Sequence, residues 1–348
     1  DDTTGDDDDD SHAHVQAILS TTDFVTGGAL AAVDLDSHAV TPDFGQATTD
    51  SWVAFGEGLL AVLDGFGGDK VWAWDPADMN NSLWDVATDS GANPRDAAVA
   101  AGKVFVIQYG QPEILVLGAI DGAELAAIDT SGYADADGNP ECHLVEQRGG
   151  FLWVSCLRLD AAYQSSPDGG LLLKIDPISD EIVDSFSTDL ALTCRAFPER
   201  TDLICHEGVD VDASWVNLYE GAIFTFDPGT GTFGPDLVSE VVLNANISVF
   251  AFSGGNIGLV AAAGDTAGQL LCVDINAGLT SVVEDDLGWI NGMDVNNRGE
   301  AYVMNRSSWT SPYAGPYGVG VYDVAADCTL LSAGIVDVGM EPYTITFL

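Results

Sequence analysis

Apolar and polar residues alternate along most of the chain in short runs, separated by turns rich in glycine, aspartate and asparagine. Seven segments share one local pattern: alternating apolar residues, then an aspartate, then a turn. They read GGALAAVDLD, DKVWAWDPAD, PEILVLGAIDG, GGLLLKIDPISD, GAIFTFDPGTG, GQLLCVDINAG and GVGVYDVAAD. Their aspartates are Asp34, Asp75, Asp121, Asp176, Asp227, Asp274 and Asp323, spaced by about 48 residues on average. A period of two is the mark of a strand, and no stretch between the repeats shows a helical period. About four short strands fit in each unit. The pattern therefore predicts an all-β, seven-bladed β-propeller of four-stranded antiparallel blades.

With strands lettered a to d from the centre outward, the third unit divides into PRDAAVAAG, KVFVIQYG, EILVLGAI and ELAAIDTS. The fourth divides into CHLVEQRG, FLWVSCLRL, GLLLKIDP and EIVDSFST. The first unit supplies strands b, c and d from HVQAILSTTD, GALAAVDL and AVTPDF, but no strand a. The last residues, EPYTITFL, form an orphan strand a. Pairing the two closes the ring and removes two exposed sheet edges. Residues 15–348 are thus expected to form a single propeller domain. Residues 1–14, DDTTGDDDDDSHAH, are a charge run that cannot offset its own ordering entropy, and are expected to be a disordered acidic tether.

NPRDAAVAAGKVFVIQYG resembles the YVTN or surface-layer propeller repeat, and EAYVMN at 300–305 echoes it. That resemblance implies the fold and a secreted or surface-attached location, with little about chemistry. INGMDVNNRGEAYVMN (290–305) resembles one element of the gluconolactonase propellers, in which a channel calcium held by a glutamate, two asparagines and an aspartate polarises an ester carbonyl. Asn291 matches one asparagine, while Asn305 stands where that family has its aspartate. The inner strand of the first blade offers no glutamate, and a second asparagine has no clear place.

Charge narrows the partners. Ten basic residues against 55 acidic ones give a net charge of −45, so anionic lipid is a poor partner and no nucleic acid is expected as one. The surplus also suits a halophilic or marine setting. A chain that opens on Asp1 is expected of a mature protein in an extracellular, periplasmic or cell-surface location, with a lipid anchor upstream as one arrangement. No apolar run is long enough for a membrane span.

Six cysteines point the same way. CHLVEQRGGFLWVSC places Cys142 and Cys156 at mirror-image distances from a Gly-Gly turn, and CRAFPERTDLIC does the same for Cys194 and Cys205. Both pairs are expected to bridge strands a and b at the face that bears the b–c loops. Cys272 and Cys328 fall in neighbouring blades, either as a bridge between them or as separate buried thiols.

Three b–c loops are long, while the a–b turns are short. The long loops carry Tyr163, Asp210, Asp212, Trp215, Tyr219, Trp309, Tyr313 and Tyr317, the expected ligand-binding residues. The loop DADGNPE sets Asp135, Asp137, Asn139 and Glu141 at alternate positions, resembling the first half of a calcium loop and making calcium the one expected cofactor. His143 and His206 each follow a hairpin cysteine, without an evident third ligand for a transition metal. No nucleophile elbow, zinc-protease motif or phosphate loop occurs. The sequence favours a non-catalytic propeller that binds an extracellular protein, glycan or small molecule through its long-loop face. A calcium-dependent lactonase-like hydrolase and a structural component of an extracellular assembly are the alternatives.

Overall fold

Residues that alternate in polarity pair as antiparallel strands, and the chain forms seven four-stranded sheets, six of them built from strands consecutive in sequence. The structure, a computed structural model, describes residues 14–160, 164, 166–208, 218–263, 268–287, 289–306, 317–332 and 334–348. The seven sheets are the blades of a β-propeller. The inner strands, taken from blade 1 to blade 7, are Glu341–Phe347, Ser51–Gly56, Pro94–Ala100, Cys142–Arg148, Leu192–Ala196, Asn246–Phe252 and Trp289–Val295. Blade 1 takes its inner strand from the far end of the chain: Glu341–Phe347 pairs antiparallel with Gln16–Thr22. His14, expected in the tether, is docked on this seam, its ring stacked on Phe347 at 5.5 Å.

Burial falls from the axis outward. In blade 3, Val104, Phe105, Val106 and Ile107 of strand b are all fully buried, because both faces of the strand meet neighbouring blades. The outer strand Glu124–Asp129 is mostly exposed. The core is a series of apolar clusters between adjacent sheets, as where Phe105 and Ile107 of blade 3 meet Val145, Leu152 and Val154 of blade 4.

The repeated aspartate has a local cause. In all seven blades its carboxylate accepts a backbone N–H two residues on, closing the c–d turn: Asp34 from Asp36, Asp75 from Ala77, Asp121 from Ala123, Asp176 from Ile178, Asp227 from Gly229, Asp274 from Asn276 and Asp323 from Ala325. These are Asx turns, which need a short side chain with an acceptor oxygen.

All six cysteines are paired. Cys142 faces Cys156 and Cys194 faces Cys205 in register across strands a and b, with Cα atoms 3.7 and 4.0 Å apart. Cys194–Cys205 sits mid-strand rather than at the strand ends. The third bridge, Cys272–Cys328, joins blade 6 to blade 7 with Cα atoms 5.8 Å apart. Among the described residues two helical turns interrupt the strands, a 3-10 turn at Ser131–Tyr133 and an α-helical turn at Glu240–Leu243; Glu240 is held there by the backbone N–H groups of Gly221 and Ile247 and by His206.

Phe347 is 7% exposed and packs edge-on against Tyr302 at 5.3 Å. Phe347→Ala should cost about 3–5 kcal/mol in guanidinium unfolding, and deleting residues 341–348 considerably more. A truncated chain that melts like the parent would show that the ring does not need this strand.

Candidate functional site

Strand a of each blade runs from the long-loop face to the short-turn face. The register shows the direction: Ser51 pairs with Asp64 and Pro94 with Gln108 at the loop end, while Gly56 pairs with Leu59 and Ala100 with Lys103 at the turn end. Side chains early in strand a therefore surround the channel at the long-loop face. Those further along reach its interior.

At the loop end the inner strands of blades 1, 2 and 3 bring together Tyr343, Trp52 and Arg95, with Tyr109 joining from the end of strand b. The Arg95 guanidinium lies over the rings of Tyr109 and Trp52, 4.6 and 5.5 Å from their centroids. Trp52 meets Tyr343 edge to face at 5.2 Å, and the Tyr343 hydroxyl donates to Asp50 Oδ1 at 2.7 Å. Arg95 forms no ion pair among the described residues. Its Nε–H and the indole N–H of Trp52 are both buried with no acceptor. Two donors and two aromatic faces thus converge on one half-buried wall. Next to it, His143 Nε2 lies 3.0 Å from Thr193 Oγ1; burial, reinforced by the Arg95 charge, lowers its pKa to about 3 and keeps the imidazole neutral.

Deeper in the channel, one arginine spans the axis. Arg195 of blade 5 reaches Glu146 Oε1 of blade 4 at 3.3 Å, Asp294 Oδ2 of blade 7 at 3.1 Å and the Met293 carbonyl at 2.6 Å. Asp96 of blade 3 completes the group, its Oδ2 accepting from the Val145 N–H at 2.8 Å. One cation faces three carboxylates, and burial makes full ionisation costly. The Asp96 carboxyl is pushed up to about 7 and that of Glu146 to about 8 by burial, with neighbouring acids adding to the rise and Arg195 opposing it. The carboxylates hold Arg195 firmly in its charged form.

Of the expected ligand-binding residues, Tyr163, Asp210, Asp212, Trp215, Trp309 and Tyr313 lie outside the described residues. Tyr219 is half-buried and Tyr317 is 37% exposed. In the acidic loop, Asp137 accepts from the Asn139 N–H, Asn139 Nδ2 donates to the Tyr109 carbonyl at 2.8 Å, and Glu141 Oε2 accepts from the Leu159 N–H. Burial, with Asp137 and Asp135 nearby, raises the Glu141 carboxyl to about 7. Asp135 Oδ2 and Asn139 Oδ1 are buried with no donor. No group of three His, Cys, Asp or Glu side chains among the described residues is arranged to hold a metal. His143 and His206 flank Thr193 but bond to different partners, Thr193 and Glu240.

Sequence reading placed the aromatics in the loops and missed those on the inner strands. The signal was a charge inside an apolar strand a: Arg95 and Asp96 in PRDAAVA, Glu146 in CHLVEQR, Arg195 in LTCRA and Asp294 in WINGMDV. A charged residue on such a strand, short of its turn end, has the channel to point into.

No family model matches the chain, and no curated protein matches it. Solved structures match along its whole length. A provisionally named 6-phosphogluconolactonase of Bacteroides fragilis shares 15% identity with a TM-score of 0.65, covering 100% of both chains. A protein of Lactobacillus plantarum shares 14% identity with a TM-score of 0.64, covering 96% of this chain and 99% of its own. AztD of Citrobacter koseri shares 12% identity with a TM-score of 0.58, covering 96% and 97%. At such identities the likeness is one of fold.

Removing the spanning arginine should be severe. Arg195→Ala leaves buried carboxylates uncompensated and should cost about 3–5 kcal/mol in denaturant unfolding. The pH dependence has a defined sign. Asp96 and Glu146 titrate higher in the folded state than unfolded, so their contribution is full below about pH 4 and is lost as the pH rises through about 7 to 8. Stability should therefore decline across that window, and Glu146→Gln should flatten the decline; an unchanged slope would place the titration elsewhere.

Proposed function

We propose that the protein is a non-catalytic binding propeller working outside the cytoplasm, and that it receives its ligand at the long-loop mouth of the channel. One observation carries this reading. The cation in the channel is the protein's own Arg195, tied to carboxylates from other blades. The lactonase reading needs a metal at the axis, with free oxygen ligands around it. Here Glu146 and Asp294 are already engaged by a guanidinium. Above them, Trp52, Arg95, Tyr109 and Tyr343 offer aromatic faces beside two acceptor-seeking N–H groups. That chemistry suits a ligand with a flat face and oxygen acceptors, for which a glycan is the best fit among protein, glycan and small molecule.

Three disulfides fit an oxidising extracellular or periplasmic compartment. No helix among the described residues is long and apolar enough to cross a membrane. A glycan array with the purified protein tests the reading. Trp52→Ala and Arg95→Gln should each abolish capture of the bound glycan while shifting the melting temperature by only a few degrees. Capture by both variants at parental affinity, or turnover of a lactone panel by the parent, would overturn it.

Calcium in the acidic loop is a second proposal, supported by the two buried oxygens without donors, Asp135 Oδ2 and Asn139 Oδ1. Asp135, Asp137 and Asn139 would hold the ion, which would rigidify the entry to blade 4. Calcium at about 100 times its Kd should stabilise the fold by about 2.7 kcal/mol, reversed by chelator and absent in Asp135→Asn. A melting curve indifferent to calcium would end the idea.

A further inference from the structure

The basic residues are unevenly placed. Five of the ten, Lys103, Arg148, Lys174, Arg200 and Arg298, lie in turns or near strand ends on the short-turn face. Three of them, Arg148, Lys174 and Arg200, line an open pocket of about 920 Å³ between blades 4 and 5. That volume is typical of small-molecule sites.

The three cations are not equivalent. Arg200 is committed: its Nε and Nη2 bond to the two oxygens of Asp202 at 2.9 and 2.8 Å, and its Nη1 to the Gly255 carbonyl at 2.6 Å. Lys174 has no carboxylate partner among the described residues. Its Nζ rests over the rings of Phe151 and Trp153, 3.9 and 5.2 Å from their centroids. Arg148 spends one N–H on the Phe197 carbonyl at 2.8 Å, while its Nε is buried with no acceptor. The acids of the wall do not answer these two. Asp202 holds Arg200, Asp227 accepts from Gly229, Thr230 and the Thr230 hydroxyl, and Glu199 stands exposed at the rim.

We infer that this pocket is an oxyanion site, taking a small molecule that bears a phosphate or carboxylate group, with Lys174 and Arg148 as the contacting cations. With 55 acidic residues, the chain could have given either cation an internal partner, as it does for Lys70, Lys103, Arg200 and Arg298. Instead the ammonium is parked on aromatic faces. A cation–π contact is worth about 0.5–2 kcal/mol, and a charge-assisted bond to an oxyanion competes with it readily. Lysine's flexible stem lets the ammonium swing from ring to ligand, and Phe151 is then free to pack against the ligand's body. The site lies at the opposite end of the propeller from the Trp52–Arg95 mouth and stands independently of it.

Titration calorimetry with inorganic phosphate and with citrate tests the assignment, at ionic strength matched with sodium chloride so that general screening cancels. Saturable binding of at least one probe is expected. Lys174→Gln and Arg148→Gln should each weaken it at least tenfold, Lys174→Arg should retain it, and Arg298→Gln, which removes the same charge elsewhere on that face, should leave it unchanged. Preference for phosphate or for citrate then names the group recognised. Absence of saturable binding by both probes overturns the proposal. So does parental affinity in Lys174→Gln, or an equal loss in Arg298→Gln, which would reduce the effect to the overall field. Melting temperatures in chloride show that each variant is folded, and the arginine variant at position 174 reads the site even where glutamine perturbs packing.

Discussion

Everything in this molecule depends on the pairing of Glu341–Phe347 with Gln16–Thr22. A sheet is stable only when its edges are paired, covered or charged, and a ring of sheets also needs each blade to cover the next. The pairing satisfies both requirements at once. It gives blade 1 its inner strand, and it brings Tyr343 beside Trp52 of blade 2. The same strand presents Thr344, whose hydroxyl meets Ser20 Oγ at 2.8 Å, so the closing seam is hydrogen-bonded through side chains as well as backbone. Without it the seven inner strands would have no common axis, and neither the channel mouth nor the arginine beneath it could assemble.

The inner strands do two jobs that conflict. They must be apolar enough to pack blade against blade, yet they carry the charges that meet at the axis. The conflict is resolved by the strand's place at the inner edge of its blade. In Pro94–Ala100, Ala97 and Val99 pack towards blade 2 and Ala98 and Ala100 towards blade 4, while the Asp96 carboxylate stays at the axis and accepts from the Val145 N–H. Arg195 adopts the same solution from the opposite side, reaching a carbonyl and a carboxylate that belong to blade 7. The result is an ionic contact among blades far apart in sequence, buried where its strength is least screened.

Much of the fold was legible in the sequence because it is written locally. The c–d aspartate recurs since each turn needs an acceptor two residues before an N–H, a requirement met seven times by the same short side chain. The strands of blades 3 and 4, the orphan strand and the hairpin cysteines followed from spacing alone. The third disulfide did not, because whether Cys272 and Cys328 meet depends on how two blades pack. The site was less legible for the same reason. Arg95 lies between Trp52 and Tyr109, residues 43 positions before it and 14 after it, and no local pattern records that meeting. Nor does any spacing show that Lys174 and Arg148, on different strands of blade 4, open into one pocket.

The closing seam also has a mechanical side. Val15 N–H donates to the Leu348 carbonyl at 2.7 Å, and Ala17 stands opposite Phe347, so the two segments leave the sheet side by side. A force drawing residues 15 and 348 apart would act across the ladder, loading its rungs one after another like the teeth of a zip. Such a geometry yields at a lower pull than one in which all rungs are sheared together. The peeling would spread from blade 1 towards blade 7, where the covalent Cys272–Cys328 link fastens blade 7 to blade 6 and gives the tear a place to stop.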